Sequence, residues 1–114
     1  YRVVENINNV IECIAAEQRH KNDNRVVLFV KLNKNRILND EFISLIKNRV
    51  KNLLSPKHVP SKILQVSDIP KTKSGKIVEI TIKRILNNKK ITNLHSLANP
   101  ECLEDYKNRI ELQN

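Results

Sequence analysis

Apolar residues recur at helical spacing in two stretches of this chain and run almost unbroken in a third, and these patterns set its outline. Over residues 39–54, Phe42, Ile43, Ile46, Val50, Leu53 and Leu54 fall along one face of a 3.6-residue period, with Asn39 or Asp40 placed to cap the first turn. Lys47 and Lys51, four residues apart, share the opposite face of that helix. The run RVVLFVKL, residues 25–32, is nearly continuous in Val, Leu and Phe, as expected of a strand covered on both faces. Farther on, Val78, Ile82, Ile85 and Leu86 repeat at helical intervals. Lys83, Arg84, Lys89 and Lys90 gather toward the C-terminal end of this second helix, where the macrodipole favours cations.

Shorter patterns fill the gaps. Val3, Ile7, Val10 and Ile11 predict a short amphipathic helix over residues 3–11, and CIAA at 13–16 reads as a strand. The polar EQRHKNDN that follows has the composition of an exposed turn, so this strand and 25–32 would form a hairpin at the centre of the sheet. In SPKHVP, Pro56 and Pro60 push their predecessors toward extended conformations and stop the helix, and KILQVSDI, residues 62–69, follows as a further short strand. The resulting order α-β-β-α-β-α predicts an α+β fold, a small sheet of about three strands packed by helices, with residues 1–114 as a single domain. Residues 91–114 have little periodicity and are expected to wrap the surface as loop plus short helix.

Composition narrows the class. A chain of 114 residues with 39% hydrophobic content is long enough for one core without metals or crosslinks. No apolar run approaches the roughly 20 residues a membrane span needs, and the N-terminus is unlike a signal peptide, so a soluble, cytoplasmic protein is expected. Cys13 and Cys102 lie far apart, and His20, His58 and His95 are isolated, so neither a disulfide framework nor a metal site is suggested. The chain lacks methionine and opens within a helical pattern, which predicts a piece of a longer polypeptide. Its formal charge of +9 raises the expectation of an anionic partner, whether nucleic acid, nucleotide or a phosphate-rich cofactor. Modules that grip single-stranded nucleic acid interleave aromatic and basic residues. Here Tyr1, Phe29, Phe42 and Tyr106 are scattered, so a basic nucleic-acid-binding module is the rival reading and no nucleic-acid partner is expected.

The single glycine, Gly75, directly precedes Lys76 in IPKTKSGKIVEI, at the start of the second helical pattern. Glycine permits a sharp turn and helix N-termini present free amides, so the segment can serve as an anion site. It is not a P-loop, because the pattern G-x-x-x-x-G-K-[ST] is not met. Spacing alone favours a solvated basic turn over an anion site.

The same residues resemble a signature near the C-terminus of the acyl-adenylate-forming, or AMP-binding, superfamily, which includes acyl-CoA synthetases, peptide-synthetase adenylation domains and luciferases. Its pattern P-x-T-x-(S/N)-G-K is met by Pro70, Thr72, Ser74, Gly75 and Lys76. Flanking segments are similar to the acetoacetyl-CoA synthetases more than to the acetyl-CoA synthetases. LSPKHVPSKI resembles their Ser-x-Arg-His-Val-Pro stretch with Lys57 in place of the arginine, and GKIVEITIKRIL their Gly-Lys-Lys-Val-Glu version of the lysine motif. LANPECLEDYK is similar to their tail, and YRVVENI to the stretch after the interdomain hinge.

The resemblance implies a mobile C-terminal lid that works with an N-terminal AMP-binding domain of the same polypeptide, on acetoacetate or another short-chain acid, ATP with Mg²⁺, and coenzyme A. The fragment alone would not turn over. By the same likeness Lys76 is the catalytic lysine of adenylation, Gly75 and Ser74 shape its loop, and Lys51 with nearby Arg49 faces the CoA phosphates. Lys76 also resembles the lysine that protein acetyltransferases and deacetylases modify in several synthetases. No membrane partner is implied, and a regulatory remnant without catalysis is the remaining alternative.

Overall fold

The computed structural model describes residues 2–21, 23–34, 36–91, 94–107 and 109–112. Three strands, β1 (Val10–His20), β2 (Asp23–Leu32) and β3 (Lys62–Gln65), form one mixed sheet in the order β1-β2-β3. β2 is the central strand, antiparallel to β1 and parallel to β3. Because side chains alternate along a strand, β2 sends Val27 and Phe29 into one apolar cluster and Leu28, Val30 and Leu32 into another. Both faces are covered, which is why this segment reads as an unbroken apolar run. The α+β class and the three-strand sheet agree with the sequence reading; the hairpin is off-centre, since β1 is an edge strand.

β1 is longer than the CIAA core, and the residues expected to form an exposed turn continue the strand to His20. Cross-strand pairing runs without a break from Glu12–Lys31 to His20–Asp23. The polar Gln18 is buried there because its carboxamide is answered: Nε2 donates to the Leu112 carbonyl at 3.2 Å, and Oε1 accepts from Arg25 at 2.9 Å. The outer edge of β1 is occupied by the Asn87 side chain, which accepts from the Arg19 amide and donates to the Glu17 carbonyl. A polar segment can thus hold a strand when partners from distant parts of the chain satisfy it.

The N-terminal helix α1 spans only Arg2–Glu5, and the predicted 3–11 helix is broken by Asn9 at φ +77°, whence Val10 enters β1. Asn9, Lys21 and Asn88 all have positive φ. Two of these three positions carry asparagine, which tolerates the left-handed region, so a chain with one glycine can still make several sharp turns.

α2 (Asp40–Leu53) connects the parallel pair β2 and β3. Asn39 caps it by accepting from the Phe42 amide at 2.8 Å. Phe42, Ile46 and Val50 enter the second cluster with Val4, Ile7 and Cys13. Leu53 and Leu54, which share their helical face by periodicity, are instead 63% and 52% exposed. The chain leaves the helix at Ser55 into the 3₁₀ turn Pro56–His58, none of whose residues is buried.

α3 (Glu79–Leu86) packs Ile82 and Leu86 onto the opposite face, into the first cluster. It ends before Lys89 and Lys90, which lie beyond the helix rather than on its last turn. The tail does more than wrap the surface. Its 3₁₀ segments Pro100–Tyr106 and Ile110–Leu112 deliver Cys102, Leu103, Tyr106 and Leu112 into the first cluster, and Leu97, just after the 3₁₀ turn Leu94–Ser96, joins them. Turns of three residues do not produce a 3.6-residue pattern, which explains the weak periodicity. The Tyr106 and Phe29 rings meet at 4.7 Å with an interplanar angle of 59°.

Cys13 and Cys102 are buried in clusters on opposite faces of the sheet. Burial raises their thiols to about 12 and about 11, so both are held as neutral core side chains. No helix among the described residues is long and apolar enough to cross a membrane.

Candidate functional site

The segment around Lys76 is a small β-hairpin, not the mouth of a helix. Lys71 pairs with Ile77, the Thr72 amide donates to the Lys76 carbonyl at 2.8 Å, and the Val78 amide donates to the Pro70 carbonyl at 3.1 Å. α3 begins only at Glu79. The loop is closed by the Gly75 amide donating to the Thr72 carbonyl at 2.9 Å, with Gly75 at φ +91°, the arrangement of a three-residue hairpin loop ending in a left-handed residue. Thr72 Oγ1 accepts from the Lys76 amide at 3.1 Å and lies 2.9 Å from Ser74 Oγ. Threonine and serine therefore stiffen the loop from within, and Gly75 supplies its backbone sign.

A Cβ on Gly75 would meet nothing within 4 Å inside this domain. The demand for glycine here is thus conformational rather than steric. Gly75→Ala is expected to destabilise the loop conformation by about 1–2 kcal/mol, while Gly75→Asn, which tolerates positive φ, costs less. The exchange rates of the Gly75 and Lys76 amides check this, and equal protection in all three variants would contradict it.

Lys76 is exposed at the tip, and its ammonium makes no hydrogen bond or ion pair among the described residues. The foot of the hairpin is the opposite. Lys71 Nζ pairs with Glu12 at 2.6 Å, its carbonyl accepts from the Ala98 amide at 2.9 Å, and its amide donates to Asn99 Oδ1 at 3.0 Å. Asn99 Nδ2 donates to Asp68 Oδ2 and to the Ile69 carbonyl, both at 2.8 Å. Asp68 also takes the Lys31 ammonium at 3.1 Å and the Ile69 amide at 2.9 Å. Burial works against this carboxylate, but the bonds from Asn99, Lys31 and Ile69 prevail and hold its pKa below the usual value. An exposed tip on an anchored foot results.

The other candidates lie elsewhere. Lys51 and Arg49 are exposed on α2, and Lys47 on the same helix is half-buried. α2 covers the second cluster, whereas Ile69, Ile77 and Val78, which flank the Lys76 loop, belong to the first. The structure therefore brings Ser74, Gly75 and Lys76 together and sets Lys51 and Arg49 on the other side of the sheet. Among the described residues no group of three or more His, Cys, Asp or Glu is arranged to hold a metal ion. Sequence reasoning missed Asp68 and Asn99; the one signal was Asn99-Pro100 within an otherwise aperiodic tail.

The profile of the AMP-binding enzyme C-terminal domain matches residues 2–76, its last matched residue being Lys76. This chain belongs to that family. Over 114 residues the domain is 41% identical to acetoacetyl-coenzyme A synthetase of Rhizobium meliloti (strain 1021), covering all of this chain and 18% of that protein. It is 36% identical over 115 residues to acetoacetyl-CoA synthetase of Danio rerio, again across the whole chain and 17% of the relative. The solved acetoacetyl-CoA synthetase from Streptomyces lividans superposes with a TM-score of 0.82 at 30% identity, over 94% of this chain and 16% of that one. The AMP-binding C-terminal domain described here thus spans less than a fifth of the length of these relatives.

Proposed function

We propose that this domain is the lid of an acid-thiol ligase that joins acetoacetate to coenzyme A, with ATP cleaved to AMP and pyrophosphate. The observation that carries the reading is Lys76: a cation with no partner among the described residues, at the tip of a hairpin whose foot is anchored, in a chain similar from end to end to acetoacetyl-CoA synthetases. An N-terminal AMP-binding domain of the same polypeptide would supply the nucleotide pocket, the Mg²⁺ that accompanies ATP and the acyl pocket.

The first half-reaction brings a carboxylate against the α-phosphate of ATP. Both reactants are anionic, and the transition state spreads further charge over the phosphoryl oxygens, so a placed cation lowers the barrier. Lys76 bridges the acetoacetate carboxylate and the α-phosphate in this step. Gly75 and Ser74 set the path of the loop. In the second half-reaction the CoA thiol displaces AMP, and Lys51 with Arg49 meets the CoA phosphates. The two sets lie on opposite sides of one sheet, so they address a single cleft by turns, which calls for rotation of the lid between half-reactions. Its exposure also makes Lys76 accessible to protein acetyltransferases and deacetylases, and acetylation would remove the charge.

Phe29, Phe42 and Tyr106 are all buried, so none of these rings is open to a nucleic-acid base. Nucleotide and CoA phosphates are the better match for the +9 charge.

The test uses the full-length polypeptide. Acetoacetate should drive exchange of labelled pyrophosphate into ATP, and Lys51→Ala should raise the KM for CoA while leaving that exchange unchanged. Faster exchange with acetate would reassign the acyl substrate, and no acid-dependent exchange at all would reject the ligase. An unaltered KM would remove Lys51 from the CoA site.

A further inference from the structure

We propose that Asn99 is a positioning residue for adenylation, the side chain through which the C-terminal tail sets the angle at which the Lys76 hairpin leaves the domain. This role presupposes that Lys76 is the adenylation cation.

Three bonds from one carboxamide converge on the foot of the hairpin: to Asp68 and the Ile69 carbonyl as donor, and from the Lys71 amide as acceptor. Pro70, between them, has no amide to give. Removing Asn99 therefore leaves the Lys71 amide and the Ile69 carbonyl without those partners at the point where the hairpin begins. Asp68 is itself tied to Lys31 on the central strand, and the Tyr106 hydroxyl donates to the Asp68 carbonyl at 2.7 Å. A continuous path thus runs from β2 through Lys31, Asp68 and Asn99 to Lys71, five residues before Lys76. Beside it, Leu97 bridges Thr72 and the Ala98 amide donates to the Lys71 carbonyl, so tail residues 97–99 lie along the hairpin like a third strand.

The chemistry selects asparagine. Only a carboxamide offers donors to Asp68 and Ile69 and an acceptor to Lys71 at the same time. Aspartate would keep the acceptor but set a second carboxylate where Asn99 Nδ2 now lies, 2.8 Å from Asp68 Oδ2. The matched family profile ends at Lys76, so the brace comes from residues beyond that match.

The experiment compares Asn99→Ala, Asn99→Asp and Ser67→Ala in the full-length enzyme. Ser67 bonds Asp105 of the tail through both its amide and its hydroxyl, and its substitution loosens a tail contact away from the hairpin. Asn99→Ala should slow acetoacetate-dependent pyrophosphate exchange about 10- to 100-fold, the scale of a misplaced catalytic group. Conversion of supplied acetoacetyl-adenylate to the thioester should stay within about twofold of wild type, and amide hydrogen exchange should rise at residues 69–76 but not in β2 or α2. Ser67→Ala should change neither rate. Asn99→Asp should match Asn99→Ala at neutral pH and recover toward wild type as the pH falls, because the protonated carboxyl can donate to Asp68. Unchanged exchange at residues 69–76 overturns the role, as does equal loss of both half-reactions with protection lost throughout the domain. If Asn99→Ala lowers the folded fraction, the pH recovery of Asn99→Asp relative to wild type decides instead. Should Lys76→Ala retain full adenylation, the lysine assignment fails, whereas the hydrogen-exchange comparison still decides whether Asn99 holds the hairpin.

Discussion

Lys76→Ala in the full-length protein is expected to lower acid-dependent pyrophosphate exchange about 100- to 1,000-fold, while thioester formation from supplied acetoacetyl-adenylate stays near wild type. The magnitude is that of removing one preorganised donor from a developing oxyanion, roughly 3–4 kcal/mol. Lys76 needs no internal partner to be broken before it acts, since its ammonium is exposed and unpaired among the described residues. Lys76→Arg should recover only part of the rate, because a planar fork on a longer side chain does not reproduce a compact point charge. Separate assays of the two half-reactions check the result. A parallel fall in both would mean that Lys76 serves the lid as a whole and not adenylation.

Phe29→Ala is expected to destabilise the domain by about 3–5 kcal/mol, read from the midpoint of urea unfolding. Phe29 is fully buried on the central strand, and its ring carries the Tyr106 ring of the tail. Truncation opens a cavity under the 3₁₀ segment Pro100–Tyr106 and loosens what holds the tail on the sheet. Protease cleavage within residues 94–107 should therefore accelerate in Phe29→Ala more than in Ile46→Ala, whose cavity opens on the other face. Loss of under about 1 kcal/mol, or equal cleavage in both variants, would show that the tail is held independently of this contact.

The fold was legible where burial imposes one period on the residues. α2 and α3 announce themselves because their apolar positions repeat at 3.6, and β2 because burial on both faces makes it an unbroken apolar run; the α+β class follows from their order. Boundaries fared worse. β1 extends through Glu17, Gln18, Arg19 and His20, whose polarity reads as a turn until Leu112, Arg25 and Asn87 are seen to answer them. Leu53 and Leu54 keep the right period and lose their burial, since periodicity assigns a face but not what lies opposite it.

For the site, local chemistry marked a glycine turn beside a lysine, which depends on neighbours within a few residues, and it was the likeness to the acyl-adenylate-forming signature that singled out Lys76. The hairpin's foot was not foreseeable in the same way. Asp68, Asn99 and Lys31 are separated by 31 and 37 residues along the chain, and no spacing rule connects a strand lysine to an asparagine in an aperiodic tail. The amino-acid sequence by itself thus determined the main elements and the turn at Gly75 through short-range periodicity and residue type, and pointed to the family through the likeness of its motifs. Only the tertiary structure decided which face of the sheet each cation occupies and what anchors the lysine hairpin, because those depend on hydrogen bonds between residues that come together only once the chain has closed around its core.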